Sequence, residues 1–185
     1  MIRFDPHSSW KALDQRAQTE TNPQRKALTI QVRDHVEHEI KGNLDKLMNT
    51  LTAQPIYHFW GNGNPMVIEG WQAVHEFYNN MIAGGANQFQ IVLDNIIADE
   101  KHLVTEGQVR QVYRGSALVA MGVQNAGKSA IKNDGLYLSE TQLVTVWPAD
   151  PDGKLIGEDI YFGEQPLSSL TPIDQSELPT YYKLI

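Results

Sequence analysis

One histidine and one glutamate interrupt otherwise apolar patterns, and their chemistry is that of proton transfer. His58 lies in the aromatic and β-branched run 55–60, which is typical of a strand. Glu158 shares the alternating face of a later run with Ile160 and Phe162. Histidine has an ordinary pKa of ~6.5 and suits proton abstraction. A carboxyl group on an apolar face needs a partner or a function. His58 is equally compatible with a structural role, bonded to backbone or water.

A second histidine, His35, borders the apolar stripe of a predicted helix. Asn22-Pro23 is a helix start and Gly42 a helix end. Every fourth residue between them is apolar, as shown by Leu28, Val32, Val36 and Ile40. His35 and His38 have a spacing that can begin a metal site, but no acidic or histidine partner completes one. We therefore predict a solvated helix face for that pair, and no metal.

The remaining elements follow from a change of period along the chain. A short helix is predicted from Asn43 to Leu51, and another between Gly70 and Gly84. Alternation then predicts strands at about 88–97, 102–113, 136–147 and 155–162. Segment 114–135 is either an extra hairpin or a mobile loop. Helices followed by closely connected strands predict an α+β domain with an antiparallel sheet.

Composition restricts the class of protein. The chain has 185 residues, no cysteine and a formal net charge of −7. These values exclude disulfides and thiolate chemistry, and they disfavour nucleic acid as a partner. No apolar run approaches the ~20 residues that span a bilayer, and the N-terminus lacks a signal-peptide pattern. We expect a cytoplasmic protein with one domain at 23–165, a loose arm at 1–22 and a tail at 166–185 that lies on the surface or on a partner subunit.

Residues 122–129 match the phosphate-binding loop pattern G-x-x-x-x-G-K-[ST] in full. That chemistry needs a strand before the loop and a helix after it, so that backbone amides and the helix dipole hold phosphate. The following segment 130–135 is too short and too rich in turn residues for a helix. We interpret the match as chance, with nucleotide binding as the alternative.

Four sequence segments, taken in their order along the chain, resemble the nuclear transport factor 2-like superfamily, of the SnoaL-like polyketide cyclase and ketosteroid isomerase type. They are Lys-Gly-Asn-Leu-Asp (41–45), Ile-Glu-Gly-Trp-Gln-Ala-Val-His-Glu-Phe-Tyr (68–78), Asp-Gly-Lys-Leu-Ile-Gly-Glu-Asp (152–159) and Tyr-Phe-Gly-Glu (161–164). The resemblance implies a cone-shaped curved antiparallel sheet wrapped on the N-terminal helices, with a pocket on its concave face. In that frame Phe162, Ile160 and Glu158 point inward, as do Thr145 and Trp147 on the neighbouring strand.

The resemblance also assigns candidate roles. His58 falls where the isomerases carry a catalytic carboxylate, with Phe59 as the competing match. Glu158 is the partner of His58 or the alternate base, unless a shift of one residue brings Asp159 inward. His35 falls where the isomerases place a tyrosine that donates to the developing oxyanion. We expect further contacts to substrate from Tyr57, Trp60, Tyr78, Tyr113, Thr145, Trp147 and Phe162.

Departures from the family limit what can be carried over. Thr145 replaces the buried acid of the isomerases, and Gly107, Val109 and Ile160 replace the arginine and two aspartates of the epoxide hydrolases. The leading hypothesis is therefore an enzyme without a cofactor that isomerises, dehydrates or cyclises a small apolar molecule. The rival is a non-catalytic binding module, which predicts polar groups bonded only to one another. Outward-facing Leu138, Val144 and Val146 predict a homodimer.

Overall fold

The computed structural model describes residues 1–61, 65–165 and 167–184, and these residues form five α-helices and nine strands. The helices are α1 Lys11–Thr19, α2 Pro23–Ile40, α3 Leu44–Met48, α4 Trp71–Ala83 and α5 Gly115–Ala120. The strands are β1 Leu51–Trp60, β2 Met66–Glu69, β3 Gln90–Ala98, β4 His102–Arg114, β5 Asn125–Ala126, β6 Ser129–Ala130, β7 Leu136–Pro148, β8 Leu155–Phe162 and β9 Leu170–Pro172.

The main sheet is curved and has the order β2-β1-β8-β7-β4-β3, with β9 on β7. The predicted α+β architecture is confirmed. One detail is wrong, since β1 and β8 pair in parallel while the other described pairs of the sheet are antiparallel. Strand β8 is thus inserted between β1 and β7. This insertion places β1, the first strand of the chain, beside β8, which is one of the last.

Helix α2 forms as its caps predict. The Asn22 side chain accepts hydrogen bonds from the backbone amides of Gln24 and Arg25 at 2.9 and 3.1 Å. At the other end Gly42 adopts a φ of +69°, a conformation that glycine takes without a Cβ penalty. The predicted stripe is buried in the main core, where it packs with Leu103, Trp147 and Leu155 of the sheet. The stripe therefore fixes α2 across the concave face.

The expectation of a loose N-terminal arm is wrong. Residues 1–22 contain a 3₁₀ turn and α1, and both Phe4 and Leu13 are fully buried. Only Leu13 and Ala17 of α1 are buried, one turn apart. Two such residues give a periodic signal too weak to recognise in the sequence.

The C-terminal tail packs on its own sheet. Strand β9 pairs with β7, and Ile173, Leu178 and Tyr182 enclose Leu138 together with Phe4. The first tail residue, 166, lies outside the described residues. Leu138 therefore gives no support to the homodimer, because the tail covers it. Val144 and Val146 remain half-buried on the outer face, and the homodimer stays a prediction.

Segment 114–135 and the phosphate-loop pattern within it form a short helix and a small hairpin. Segment 114–135 contains α5 and a hairpin of β5 and β6, whose turn is Gly127-Lys128. The phosphate-loop pattern thus spans a hairpin turn and ends in β6, and the described residues between it and β7 include no helix, which agrees with a chance match. The run Gly-Asn-Gly-Asn-Pro at 61–65, which its turn-forming residues predict to be a loop, lies partly outside the described residues. None of the described helices has the length and apolar character that crossing a membrane requires.

Candidate active site

A cavity of about 150 Å³ lies between the inner face of the sheet and helices α2 and α4. Its polar lining residues are buried, whereas Phe59, Phe77 and Phe162 are half-buried. The cavity therefore has an apolar outer part and a polar inner end. The apolar lining residues are Phe59, Phe77, Met81, Phe89, Ile91, Val109, Leu143, Trp147, Ile160 and Phe162.

Strand alternation decides which residues reach this cavity. Strands β1 and β8 pair in parallel, with Tyr57 opposite Glu158 and Phe59 opposite Ile160. All four side chains line the cavity. On the other side of β8, Thr145 of β7 is opposite Ile160 and also lines it. The inner face of three adjacent strands thus supplies both the apolar wall and the Glu158 carboxyl group.

Five buried polar side chains meet at the inner end, and we name this group the polar floor: His35, Glu39, Tyr57, Tyr78 and Glu158. The Tyr78 hydroxyl donates to Glu158 Oε1 at 3.0 Å and lies 3.1 Å from the Tyr57 hydroxyl. His35 Nε2 lies 3.1 Å from the Tyr78 hydroxyl and 3.3 Å from Glu158 Oε1. The phenol of Tyr78 therefore holds the Glu158 carboxyl group in position, and the imidazole of His35 lies beside both groups.

The tautomer of His35 follows from its other neighbour. Thr50 Oγ1 lies 2.6 Å from His35 Nδ1 and 2.6 Å from the Leu47 carbonyl oxygen. Two oxygens approach this closely only with a hydrogen between them, so the Thr50 hydroxyl donates to the carbonyl. Thr50 Oγ1 must then accept from Nδ1–H. The only His35 nitrogen that can exchange a proton is Nε2, which faces Glu158.

Glu39 is a member of this cluster that the sequence analysis did not identify. It lies one helical turn after His35, on the stripe side of α2, and only 9% of it is exposed. Burial raises the pKa of Glu39 well above its ordinary value, and the neighbouring Glu158 raises it further. The signal in the sequence was an acidic residue at a stripe position, four residues after a histidine.

Tyr57 and Tyr78 are suited to donate hydrogen bonds. Both are almost fully buried. Burial raises the pKa of each phenol well above its ordinary value, and Glu158 adds to the shift. Both phenols therefore keep their hydrogens throughout the neutral range. The polar floor contains two phenol donors, one acid with a raised pKa and one carboxyl group that accepts.

The first prediction concerns Glu39→Gln and the dependence of stability on pH. Buried Glu39 keeps its proton to a higher pH than it does in the unfolded chain. Stability from this group is complete below the unfolded pKa of about 4.5 and is lost as pH rises toward the folded value, at most ~1.4 kcal/mol per pH unit. Glutamine does not ionise. We expect urea denaturation between about pH 5 and 8 to show a smaller decline for Glu39→Gln than for the wild type. An equal decline in both proteins would contradict the buried state of this acid.

The family assignment follows from a sequence match that the geometry supports. Residues 32–128, just over half of the chain, match the SnoaL-like domain family. The chain belongs to the SnoaL-like domain family. A search of curated protein sequences found no significant match. The family match ends before β7 and β8 begin, so Glu158 lies outside the matched range.

Solved structures of SnoaL-like and NTF2-like proteins share this fold. One is named as a SnoaL-like polyketide cyclase from Jannaschia sp. CCS1, with a TM-score of 0.56, 16% identity and coverage of 78% of this chain and 91% of that one. An NTF2-like protein from Anabaena variabilis has a TM-score of 0.55, 15% identity and coverage of 80% and 95%. SalBIII, an epoxide hydrolase/cyclase-like enzyme in pyran ring formation in salinomycin, has a TM-score of 0.51, 14% identity and coverage of 74% and 90%. At these identities the likeness shows the fold alone.

The expected meeting of His58 and Glu158 does not occur in this SnoaL-like protein. His58 projects from the other face of β1, where its Nδ1 lies 2.7 Å from Asp159 Oδ1. It stacks on Trp60 with ring centroids 5.4 Å apart, so Trp60 also lies on the outer face and not in the cavity. The physical reason is the period of two in a strand, because an alignment shifted by one residue inverts every side chain. Phe59, the competing match, is the residue that faces inward.

Tyr113 is a second correction. It packs at the far end of β4 in a separate cluster with Leu118, Tyr137 and Leu170, outside the lining of the cavity. Thr145, Trp147 and Phe162 do line the cavity, and His35 reaches it through Glu158 and Tyr78. The structure thus brings together most of the candidate residues but replaces His58 with Glu39.

Proposed function

We propose that this protein binds a small, mostly apolar organic molecule in the cavity and catalyses proton transfer on it without a cofactor. The observation that carries the proposal is the Glu158 carboxyl group at the inner end of an otherwise apolar cavity, next to the Glu39 carboxyl group, whose pKa burial raises well above its ordinary value. Neighbouring carboxyl groups in different environments are a recurrent arrangement for acid and base catalysis. The reaction classes that fit are isomerisation, dehydration and cyclisation.

Glu158 is the proposed base. It would take a proton from a carbon or a hydroxyl group of the substrate, while Tyr78 donates a hydrogen bond to its Oε1. Glu39 or Tyr57 would donate to the oxygen on which negative charge develops. In an isomerisation Glu158 returns the proton to a different carbon, so that the enzyme ends in its starting state. In a dehydration, the proton from Glu39 leaves with the hydroxyl group as water.

The size of the cavity limits the substrate. An engineered apolar cavity of about 150 Å³ in another protein holds benzene. The cavity of this protein has a similar volume and a more polar inner end. A molecule with one ring and one oxygen at its edge would place its apolar part among the phenylalanines and its oxygen at the polar floor. SalBIII, named for pyran ring formation, provides a precedent in this fold for chemistry on a ring that contains oxygen.

Transfer of hydrogen between substrate and solvent tests the proposal without knowledge of the reaction. Small cyclic ketones, enones and β-hydroxyketones would be incubated with the protein in D₂O, and deuterium incorporation would be followed by NMR. We expect incorporation at the carbon next to the carbonyl group for at least one class. Tight binding of a compound with no incorporation in any class would contradict catalysis and support the non-catalytic alternative.

The non-catalytic alternative has one observation in its favour. Tyr78 already donates a hydrogen bond to Glu158, and His35 Nε2 lies within 3.3 Å of both groups. A ligand would then meet a partly satisfied carboxyl group and bind mainly through the apolar wall. Glu39 distinguishes the two functions. Its carboxyl group lines the cavity, and no described residue donates a hydrogen bond to it. The non-catalytic alternative instead predicts polar groups that are bonded only to one another.

The second prediction is that His58→Gln retains wild-type deuterium incorporation. His58 and Asp159 form a partly exposed pair on the outer face, and such pairs contribute at most about 1 kcal/mol to stability. The exchange assay measures deuterium incorporation, and urea denaturation measures the free energy of unfolding. A fall in exchange of tenfold or more, with the fold intact by circular dichroism, would restore His58 to the reaction and refute the assignment to Glu158.

A further inference from the structure

We infer that His35, Glu39 and Glu158 form a binding site for one divalent transition-metal ion at the polar floor. One ligand atom from each residue lies within 4.8 Å of the other two. An imidazole nitrogen with two carboxylate oxygens suits ions such as Mn²⁺, Fe²⁺ and Zn²⁺. The spacing of His35 and His38 alone predicts no metal, whereas the acidic groups that lie near His35 in the fold are Glu39 and Glu158.

The environment of His35 is that of a prepared metal ligand. Metal-binding histidines almost always donate their other ring N–H to a protein acceptor, which fixes the ring. The Nδ1–H of His35 donates to Thr50, and Thr50 in turn donates to the Leu47 carbonyl oxygen. The lone pair of Nε2 is therefore directed at the cluster. Because His35 is fully buried, the ring keeps this orientation before any ion arrives.

Glu39 provides an independent reason to expect a cation. It is more than nine-tenths buried, it lines the cavity, and no described residue donates a hydrogen bond to its carboxyl group. The lining of the cavity includes Glu158 but neither lysine nor arginine. Two carboxyl groups thus share a buried space that none of the described lysine or arginine side chains lines. A divalent cation that displaces the proton of Glu39 would compensate the charge of both carboxylates.

Binding requires a modest rearrangement. Bonds of about 2.0–2.2 Å from ion to nitrogen or oxygen bring neighbouring ligand atoms to roughly 3 Å from one another. The three ligand atoms must therefore approach from their present separations, which extend to 4.8 Å at most. The flexible side chain of Glu39 can provide this movement. The Tyr78 hydroxyl, now 3.0 Å from Glu158, would move aside or contact the ion. The remaining coordination positions would open toward the cavity.

This inference does not depend on the proposed function. Without an ion the cluster would act by proton transfer, and with an ion it would polarise an oxygen of a bound molecule. Ion binding is measured in the absence of substrate, so a failure to bind metal leaves the exchange experiment unaffected. A failure of the exchange experiment likewise leaves the metal site standing.

The experiment is a calorimetric titration of the full chain, freed of metal with EDTA, with MnCl₂ and separately with ZnCl₂. We expect one ion per chain and a higher melting temperature with the ion present. Glu39→Gln should weaken binding at least tenfold, since it removes one ligand and preserves the shape of the side chain. His58→Gln is the matched control, because it disrupts a histidine–carboxylate pair on β1 and β8 outside the cavity and should bind as the wild type does.

Thr50→Val provides a second test that leaves all three ligands in place. Loss of the contact to His35 Nδ1 should weaken binding by about 10–100-fold. Circular dichroism of each variant shows whether it is folded. The inference is overturned if the wild type binds neither ion, if Glu39→Gln binds as tightly as the wild type, or if His58→Gln loses the site.

Discussion

Replacing Glu158 with glutamine is expected to lower the rate of deuterium incorporation into a responsive compound by about 10²–10⁴-fold. Glutamine keeps the size of the side chain and can still accept from Tyr78, but it cannot take a proton. Since Glu158 lies among buried groups that bond to it, the change should affect the chemical step much more than the binding of the compound. Progress curves at several concentrations of the compound would separate kcat from KM.

A matched control is available on the same sheet. Glu106 of β4 lies on the opposite face, where its carboxylate accepts from Asn95 at 2.8 Å. Glu106→Gln should retain wild-type exchange because it makes the same chemical change outside the cavity. Exchange at the wild-type rate in Glu158→Gln would remove Glu158 from the reaction. His35, Glu39 and the two tyrosines of the polar floor would then be the remaining groups that could move the proton.

Truncation of Phe4 to alanine is expected to destabilise the fold by about 3–5 kcal/mol. Phe4 is fully buried in a cluster with Val112, Leu138 and Ile173, and its ring packs edge-on to Tyr182 at 5.1 Å. Alanine would leave a cavity between three parts of the chain that are far apart in sequence. Urea denaturation followed by circular dichroism gives the change in the free energy of unfolding.

Ile2→Ala is the control for this prediction. Ile2 is half exposed two residues earlier in the same segment, and exposed substitutions usually change stability by less than about 0.5 kcal/mol. A change of that small size in Phe4→Ala would mean that residues 1–22 are the loose arm that the sequence suggested. Another residue would then have to take the place of Phe4 beside the tail to cover Leu138.

The fold was largely accessible from the sequence because its signals are local. Asn22 and Gly42 predict the two ends of α2. The alternation of apolar residues in β4, β7 and β8 predicts the first and last residues of these strands to within one residue. The segments that were misjudged have weak local signals. Helix α1 buries only two residues, and β9 is three residues long. Helix α1 packs mainly on α2, and β9 pairs with β7. Periodicity within a segment does not report such contacts with other elements.

The candidate site was harder to predict because it depends on contacts between distant residues. Glu158 and Phe162 were placed by strand alternation, which needs only one correct reference residue. His58 was placed by alignment, and an error of one residue in a strand inverts the face. Glu39 has no local signature beyond its spacing from His35. Its proximity to Glu158 arises only when β8 lies against β1, and no local pattern contains that information.

The parallel pairing of β1 with β8 has a consequence for how the molecule forms. Tyr57 and Glu158 lie side by side although about a hundred positions separate them in the chain. Closing so long a loop carries an entropic penalty, and folds rich in such contacts form slowly. During synthesis, the helices and the β3–β4 hairpin emerge while the gap beside β1 is still unfilled. The cavity is therefore completed late, and until then its apolar lining residues are exposed to chaperones or to other unfinished chains.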